Sequence, residues 1–160
     1  TLLVYIDGVA RVPTLDAEVW RTTEPGTAPP RQRLRALSEL VGAGIDAGVG
    51  MAPILPGLSD DPRQLEQIVR AARDAGARTV WAAVVHLRPG VREHFVAALA
   101  QDWPEEVARY EALFANRAYL PSSVTAPLLE PVRRANAAAP TPRHRRPRQP
   151  APPRQLQLVV

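Results

Sequence analysis

The middle of the chain repeats two kinds of apolar spacing. Leu34, Leu37, Leu40 and Val41 recur at helical intervals with charges between them, which predicts an amphipathic helix over residues 31–44. Pro29 and Pro30 stand at its start, where a missing N–H is harmless, and Gly42 or Gly44 can end it. Residues 49–55 are then an unbroken apolar run, read as a buried strand, and Pro56-Gly57 is a turn signal. Ser59, Asp60 and Asp61 offer caps, and Pro62 suits the first position of a second helix. That helix places Leu65, Ile68, Val69 and Ala72 on one face and stops at Ala75-Gly76-Ala77. Residues 79–85 form another apolar run, read as a second buried strand. Helix, Gly stop, strand and turn in this order predict βα units on a parallel sheet. Neither strand alternates polar with apolar residues, so both faces of each are expected to be covered.

Helical spacing returns after Arg88-Pro89-Gly90. One helix is predicted over residues 91–101, with Phe95 and Leu99 inward, and another over 104–115, opened by Pro104-Glu105-Glu106. A third is predicted over 124–137, where Pro131 should kink or restart it. Near the beginning, residues 2–6 and 9–12 are strand-like and flank Asp7-Gly8, a hairpin signal. Residues 15–22 suit a short helix opened by Thr14, and 24–27 a loop. Residues 140–153 are dominated by Pro and Arg, have little to bury, and are expected to be disordered. Residues 156–160 alternate and are expected either to dock as an edge strand or to fray.

Composition narrows the function classes. With 160 residues and 46% apolar content, the chain suits one domain or a piece of a larger one. Its apolar runs are too short to span a bilayer, and the first residues lack the layout of a signal peptide. The expectation is therefore a cytoplasmic location and no membrane partner. There is no cysteine, which excludes a disulfide scaffold, a thiolate nucleophile and any Cys-held zinc or iron–sulfur cluster within this chain. The net charge of +4 belongs to the end of the chain: Arg143, Arg145, Arg146, Arg148 and Arg154 follow Ala137 with no acid among them. All 20 basic residues are Arg, which reads as codon bias of a GC-rich genome rather than selection for Arg chemistry.

Little else carries chemistry by motif alone. His86 and His94 lie at a strand end and in the next helix, with Glu93 the one near third ligand for a metal. The plainer expectation is a partly buried His86 and a surface His94. No Ser sits in a nucleophile elbow, and the glycines form neither a Walker loop nor a dinucleotide fingerprint. The segment Pro53-Ile54-Leu55-Pro56-Gly57-Leu58-Ser59-Asp60 is more informative, because it leaves the carboxyl end of a strand and enters a helix N-terminus. Ligands of α/β sheets bind at that edge, although a Pro-Gly turn with an Asp cap explains the same residues. Arg88-Pro89-Gly90 follows the next strand, and Thr14 and Asp16 follow the first, so three strand ends should face one rim.

Several strings together resemble a known family. They are Val12-Pro13-Thr14-Leu15-Asp16, Trp20-Arg21-Thr22-Thr23-Glu24-Pro25-Gly26-Thr27, Arg33-Leu34, Ala43-Gly44-Ile45, Ala52-Pro53-Ile54-Leu55-Pro56-Gly57-Leu58-Ser59-Asp60 and His86-Leu87-Arg88-Pro89-Gly90-Val91. In order and spacing they resemble the carboxyl-terminal half of radical S-adenosylmethionine proteins, in the branch similar to spore photoproduct lyase and its actinobacterial form. The resemblance implies an α/β fold that is the carboxyl-terminal part of a partial (β/α)6 TIM-like barrel. Residues 1–121 would form the barrel part, 122–139 a terminal helix and 140–160 the tail. It implies S-adenosylmethionine and a [4Fe–4S] cluster as cofactors, an electron donor for the cluster, and lyase-like radical chemistry, DNA repair being one chemistry of the branch. It also implies a cofactor pocket lined by Thr14, Asp16, Glu24, Arg33, Pro53, Leu55, Gly57, Asp60 and Arg88. The family's G-x-I-x-G-x-x-E segment falls on Pro53, Leu55, Gly57 and Asp60, with Gly57 the one identical residue. Ribose hydroxyls would fall to Asp16 and the methionine carboxylate to Arg33. Arg88 is expected either in the pocket or as a partner of Glu24.

The cluster's Cys-x-x-x-Cys-x-x-Cys loop is absent from this chain. The radical reading therefore makes the chain a carboxyl-terminal fragment, a truncated gene product or a degenerate relative, inactive alone. The other reading is a non-catalytic α/β module whose Arg-rich tail binds nucleic acid or another polyanion.

Overall fold

The computed structural model describes residues 8–139. Three strands form one parallel sheet in the order β1 (Val9–Arg11), β2 (Gly48–Ile54), β3 (Val80–Val84). Val9 lies opposite Gly48, and Val49 opposite Val80. The register shifts between Met51 and Ile54, around Pro53, which has no N–H to give to the ladder. The chain is thus α/β, with the two inner runs adjacent and parallel as their apolar character predicts.

The connecting helices are α1 (Ala17–Thr23), α2 (Pro30–Gly42) and α3 (Pro62–Asp74). In α3 the predicted stripe of Leu65, Ile68, Val69 and Ala72 is buried, Asp61 is the cap, and Pro62 opens the helix. Gly44 and Gly76 have φ of +82° and +90°, so each stop uses a conformation that costs glycine little. After β3 come α4 (Val91–Asp102), a 3₁₀ turn (Pro104–Glu106), α5 (Val107–Phe114) and α6 (Ser122–Ala138).

Two cores result. Ala10, Val12, Leu37, Val49, Met51, Ile54, the α3 stripe, Val80 and Val132 form one, under α2, α3 and α6. Leu55, Val85, Leu87, Leu99, Tyr110 and Phe114 form the other, at the carboxyl end of the sheet under α4 and α5.

Some expectations are corrected. The short helix is opened by Asp16, whose carboxylate accepts from the N–H groups of Glu18 and Val19, not by Thr14. Residues 104–115 are a 3₁₀ turn followed by an α-helix. Helix α6 starts at Ser122 and continues through Pro127 and Pro131 without restarting; Pro131 is buried. Phe95 is half-buried, and only Leu99 of α4 is fully buried. Covering of both strand faces fails at Trp81, which is 44% exposed in the middle of β3. Its indole lies across Gly50, where a Cβ would stand 2.7 Å from the ring. The expected strand over 2–6, most of the hairpin, the 140–153 segment and the 156–160 end lie outside the described residues.

No described helix is long and apolar enough to cross a membrane.

Candidate functional site

The three strand ends run into small polar assemblies, and a fourth, around Arg33, lies beside the end of β1. After β1, Thr14 is buried and its hydroxyl accepts from Asp16 N–H at 3.0 Å. One Asp16 oxygen is committed to the α1 cap, leaving the other open to solvent or a ligand.

Arg33, only 7% exposed, anchors the next assembly. Its Nε donates to the Ala28 carbonyl at 2.7 Å, and its Nη groups donate to the Arg11 carbonyl, Thr27 Oγ1 and Glu24. Glu24 closes the pair at 2.9 Å. A guanidinium has five N–H donors, and these bonds use four of them within the chain. Arg33 therefore holds the 24–28 loop against the end of β1. That commitment counts against its expected role as a clamp for a ligand carboxylate.

After β2 the chain makes a tight turn. Ser59 is buried and its hydroxyl accepts from Leu55 N–H at 2.9 Å, while Asp60 accepts from Gly57 N–H at 2.9 Å. Asp60 thus braces the turn and leaves the helix cap to Asp61. Gly57 has φ +84°, and the space where its Cβ would stand is filled by the Glu106 carboxylate and the Arg109 guanidinium of the following segment. Pro53 is exposed and Leu55 buried. Tyr110 lies beneath this turn at 0% exposure. Burial raises its phenol pKa above the ordinary value, with further upward pushes from Asp60 and Glu106. Among the described residues, neither Tyr110 OH nor Glu106 Oε2 has a hydrogen-bond partner, although Arg109 Nε stands 3.0 Å from the latter.

After β3, Arg88 is exposed and donates from Nε and Nη2 to Tyr119 OH at 3.2 and 2.8 Å. It does not pair with Glu24, which belongs to Arg33. The hydrogen bond to Tyr119 raises the Arg88 pKa. His86 is exposed rather than partly buried, and its ring stacks on Tyr119 at 5.0 Å. Glu93 accepts from Gly90 N–H at the start of α4, and these backbone bonds lower its pKa. It is thereby committed away from the two histidines.

Eight of the nine expected pocket residues thus fall into local groups: Thr14 with Asp16, Glu24 with Arg33, Leu55 with Gly57 and Asp60, and Arg88 with Tyr119; Pro53 stands exposed outside them. Sequence reasoning missed Ser59 as the turn's brace, and gave no site role to Glu106, Arg109, Tyr110 or Tyr119. All but Ser59 come from segments 46 or more residues after the β2 turn or 31 after Arg88, and no local spacing marks them. Among the described residues no group of three His, Asp or Glu side chains could hold a metal ion.

Over 134 aligned residues the chain is 37% identical to uncharacterized proteins of Mycobacterium bovis and Mycobacterium tuberculosis. The match covers 79% of this chain and 39% of each relative. The chain therefore spans well under half the length of the curated relatives it matches. No family model matches the chain, and no solved structure matches it significantly.

Proposed function

We propose that this chain is the carboxyl-terminal α/β portion of a radical S-adenosylmethionine protein, supplying the last strands of a partial (β/α)6 barrel and one rim of its cofactor pocket. The observation that carries the reading is the consecutive, all-parallel order β1-β2-β3, with each strand's carboxyl end feeding a polar loop on one rim. The greater length of the mycobacterial relatives is consistent with further strands beyond those of this chain.

The two implied cofactors fit this chain differently. A [4Fe–4S] cluster needs thiolates, and the chain has none, so its residues do not fit the cluster. S-adenosylmethionine fits in part. The free oxygen of Asp16 is an acceptor suited to ribose hydroxyls, and the exposed Pro53 edge offers a surface for a planar group. Arg33 and the Gly57 face are already occupied from within. When bound beside a cluster, S-adenosylmethionine supplies a 5′-deoxyadenosyl radical. The part of this chain's residues is to shape the rim: Ser59 and Asp60 fix the β2 turn, and Arg33 holds the 24–28 loop against the end of β1.

The test is anaerobic reconstitution of a full-length mycobacterial relative with iron and sulfide. A cluster signal in electron paramagnetic resonance, with release of 5′-deoxyadenosine on reduction, is the expected result. A full-length protein that takes up no cluster and cleaves no S-adenosylmethionine overturns the proposal. The 160-residue chain alone should bind S-adenosylmethionine weakly, and micromolar affinity in calorimetry would contradict an anchor lying elsewhere.

A further inference from the structure

The end of β3 carries an aromatic and cationic ledge that packing does not require. Tyr119 is 56% exposed, yet it is held in one orientation. His86 stacks against it with ring planes 12° apart, and two bonds from Arg88 fix its hydroxyl. The Arg88 guanidinium also lies 5.9 Å from the Tyr119 ring centre. A backbone bond from Leu87 N–H to the Ala118 carbonyl, 2.8 Å, joins the two segments that carry these side chains. An exposed tyrosine fixed from two sides has lost its rotamer freedom before any ligand arrives, which lowers the entropy cost of binding.

Beside the ledge lies a cleft of about 320 Å³ lined by Leu87, Pro89, Arg92, Asn116, Arg117 and neighbouring alanines. That is the lower end of the roughly 300–1,000 Å³ typical of small-ligand sites. No acid lines this cleft. Arg92 is partly engaged with the Phe114 and Ala115 carbonyls and stands 3.6 Å from Glu93. Arg117 has no carboxylate partner among the described residues, and Arg88 keeps N–H donors beyond the two that Tyr119 accepts.

We propose that the His86–Tyr119–Arg88 ledge and the Arg117 cleft bind a nucleotide, with the base stacked on the aromatic pair and the phosphate taken by Arg88 and Arg117. Aromatic stacking is tolerant of base identity, and guanidinium forks match phosphate oxygens. S-adenosylmethionine is not this ligand, because its sulfonium cation has no counter-charge on an arginine-lined ledge. The inference stands whether or not the radical reading does.

Calorimetry on the 160-residue chain, at low and moderate salt, tests it with a nucleoside monophosphate, the parent nucleoside and inorganic phosphate. The monophosphate should bind at least about tenfold more tightly than either part, since both stacking and charge are needed. Tyr119→Ala should weaken it by about tenfold, the scale of one lost base stack, while Tyr119→Phe keeps most of the affinity. Arg88→Met and Arg117→Met should each weaken it and reduce its salt dependence. These positions are exposed, and circular dichroism checks that each variant stays folded. A single-stranded octanucleotide that binds more tightly than the monophosphate makes the natural source a strand, and equal binding makes it a free nucleotide. Equal affinity for nucleoside and monophosphate, or a Tyr119→Ala variant that binds like the parent, overturns the proposal. The second result would mean that anions reach the chain through its terminal arginines instead.

Discussion

Gly57 and Glu106 leave no room for a side chain between them. A Cβ on Gly57 would stand 2.7 Å from Arg109 Nη1 and closer still to a Glu106 carboxylate oxygen. The turn after β2 and the start of α5 are therefore fitted to each other across 49 residues of sequence.

Gly57→Val should destabilise the chain on two counts. The left-handed conformation costs a non-glycine residue about 1–2 kcal/mol, and the side chain must displace the Glu106–Arg109 pair. Urea unfolding should show a total loss of roughly 2–4 kcal/mol, in the range of overpacked sites. Adding Glu106→Ala should restore the packing part and leave the backbone part. A valine variant as stable as the parent would refute the fit.

Arg33→Met removes the cation from a buried cluster and leaves Glu24 facing three carbonyl and hydroxyl oxygens. The expected loss is about 3 kcal/mol, at the lower end for broken buried pairs because Glu24 keeps some contact with water. Arg33→Lys should recover only part of it, since one ammonium cannot reach all four partners. Thermal unfolding of both variants decides this.

Asp16→Ala should cost about 1 kcal/mol through the lost α1 cap, with no ligand present. If Asp16 also holds ribose hydroxyls in a full-length relative, the equivalent change should weaken S-adenosylmethionine binding there by more than the stability loss explains.

Two pH effects follow with opposite signs. The Glu66 pKa is lowered chiefly by the hydrogen bond from the Arg134 side chain, so the ionised form is favoured in the fold. Its contribution is present above the ordinary carboxylate range and fades as pH falls through the lowered value. NMR titration should place Glu66 below the ordinary glutamate range, and Arg134→Ala should return it toward that range. The Tyr110 pKa is raised, mainly by burial, so its contribution is present below about pH 10, the unfolded value, and is lost as pH climbs above it. Alkaline difference spectra should show Tyr110 ionising together with unfolding, whereas Tyr110→Phe should shift that unfolding to higher pH.

The legible part of the fold was the part with local signals. Residues 49–55 and 79–85 are apolar throughout, which marks central parallel strands, and the α3 stripe between Pro62 and Gly76 repeats at helical spacing with its stops in place. The terminal helix was also legible, although Pro131 suggested a break that burial of that residue against the core does not require. The site was legible only as a rim. The resemblance assigned Arg33 to a ligand carboxylate, but its partners are an adjacent loop and a strand carbonyl 22 residues away, a pairing no local pattern encodes. Tyr110 and Glu106 meet the β2 turn only after α3, β3 and α4 have intervened in the chain. Trp81 broke the rule of covered faces, its indole lying across Gly50 with its outer face in solvent.

Helix α6 gives the chain a late clasp. Val132 is 3% exposed in the main core, Asn136 donates to the Val80 carbonyl at 2.9 Å, and its side-chain oxygen accepts from Arg73 at 3.0 Å. Arg134 reaches Glu66 on α3 from the same helix. On the ribosome, the sheet and α3 therefore emerge long before the element that seals them. Until residue 138 is synthesised and clear of the exit tunnel, Val69 and Val80 lack their cover, and a nascent chain halted short of Ser122 would present that apolar strip to chaperones and proteases.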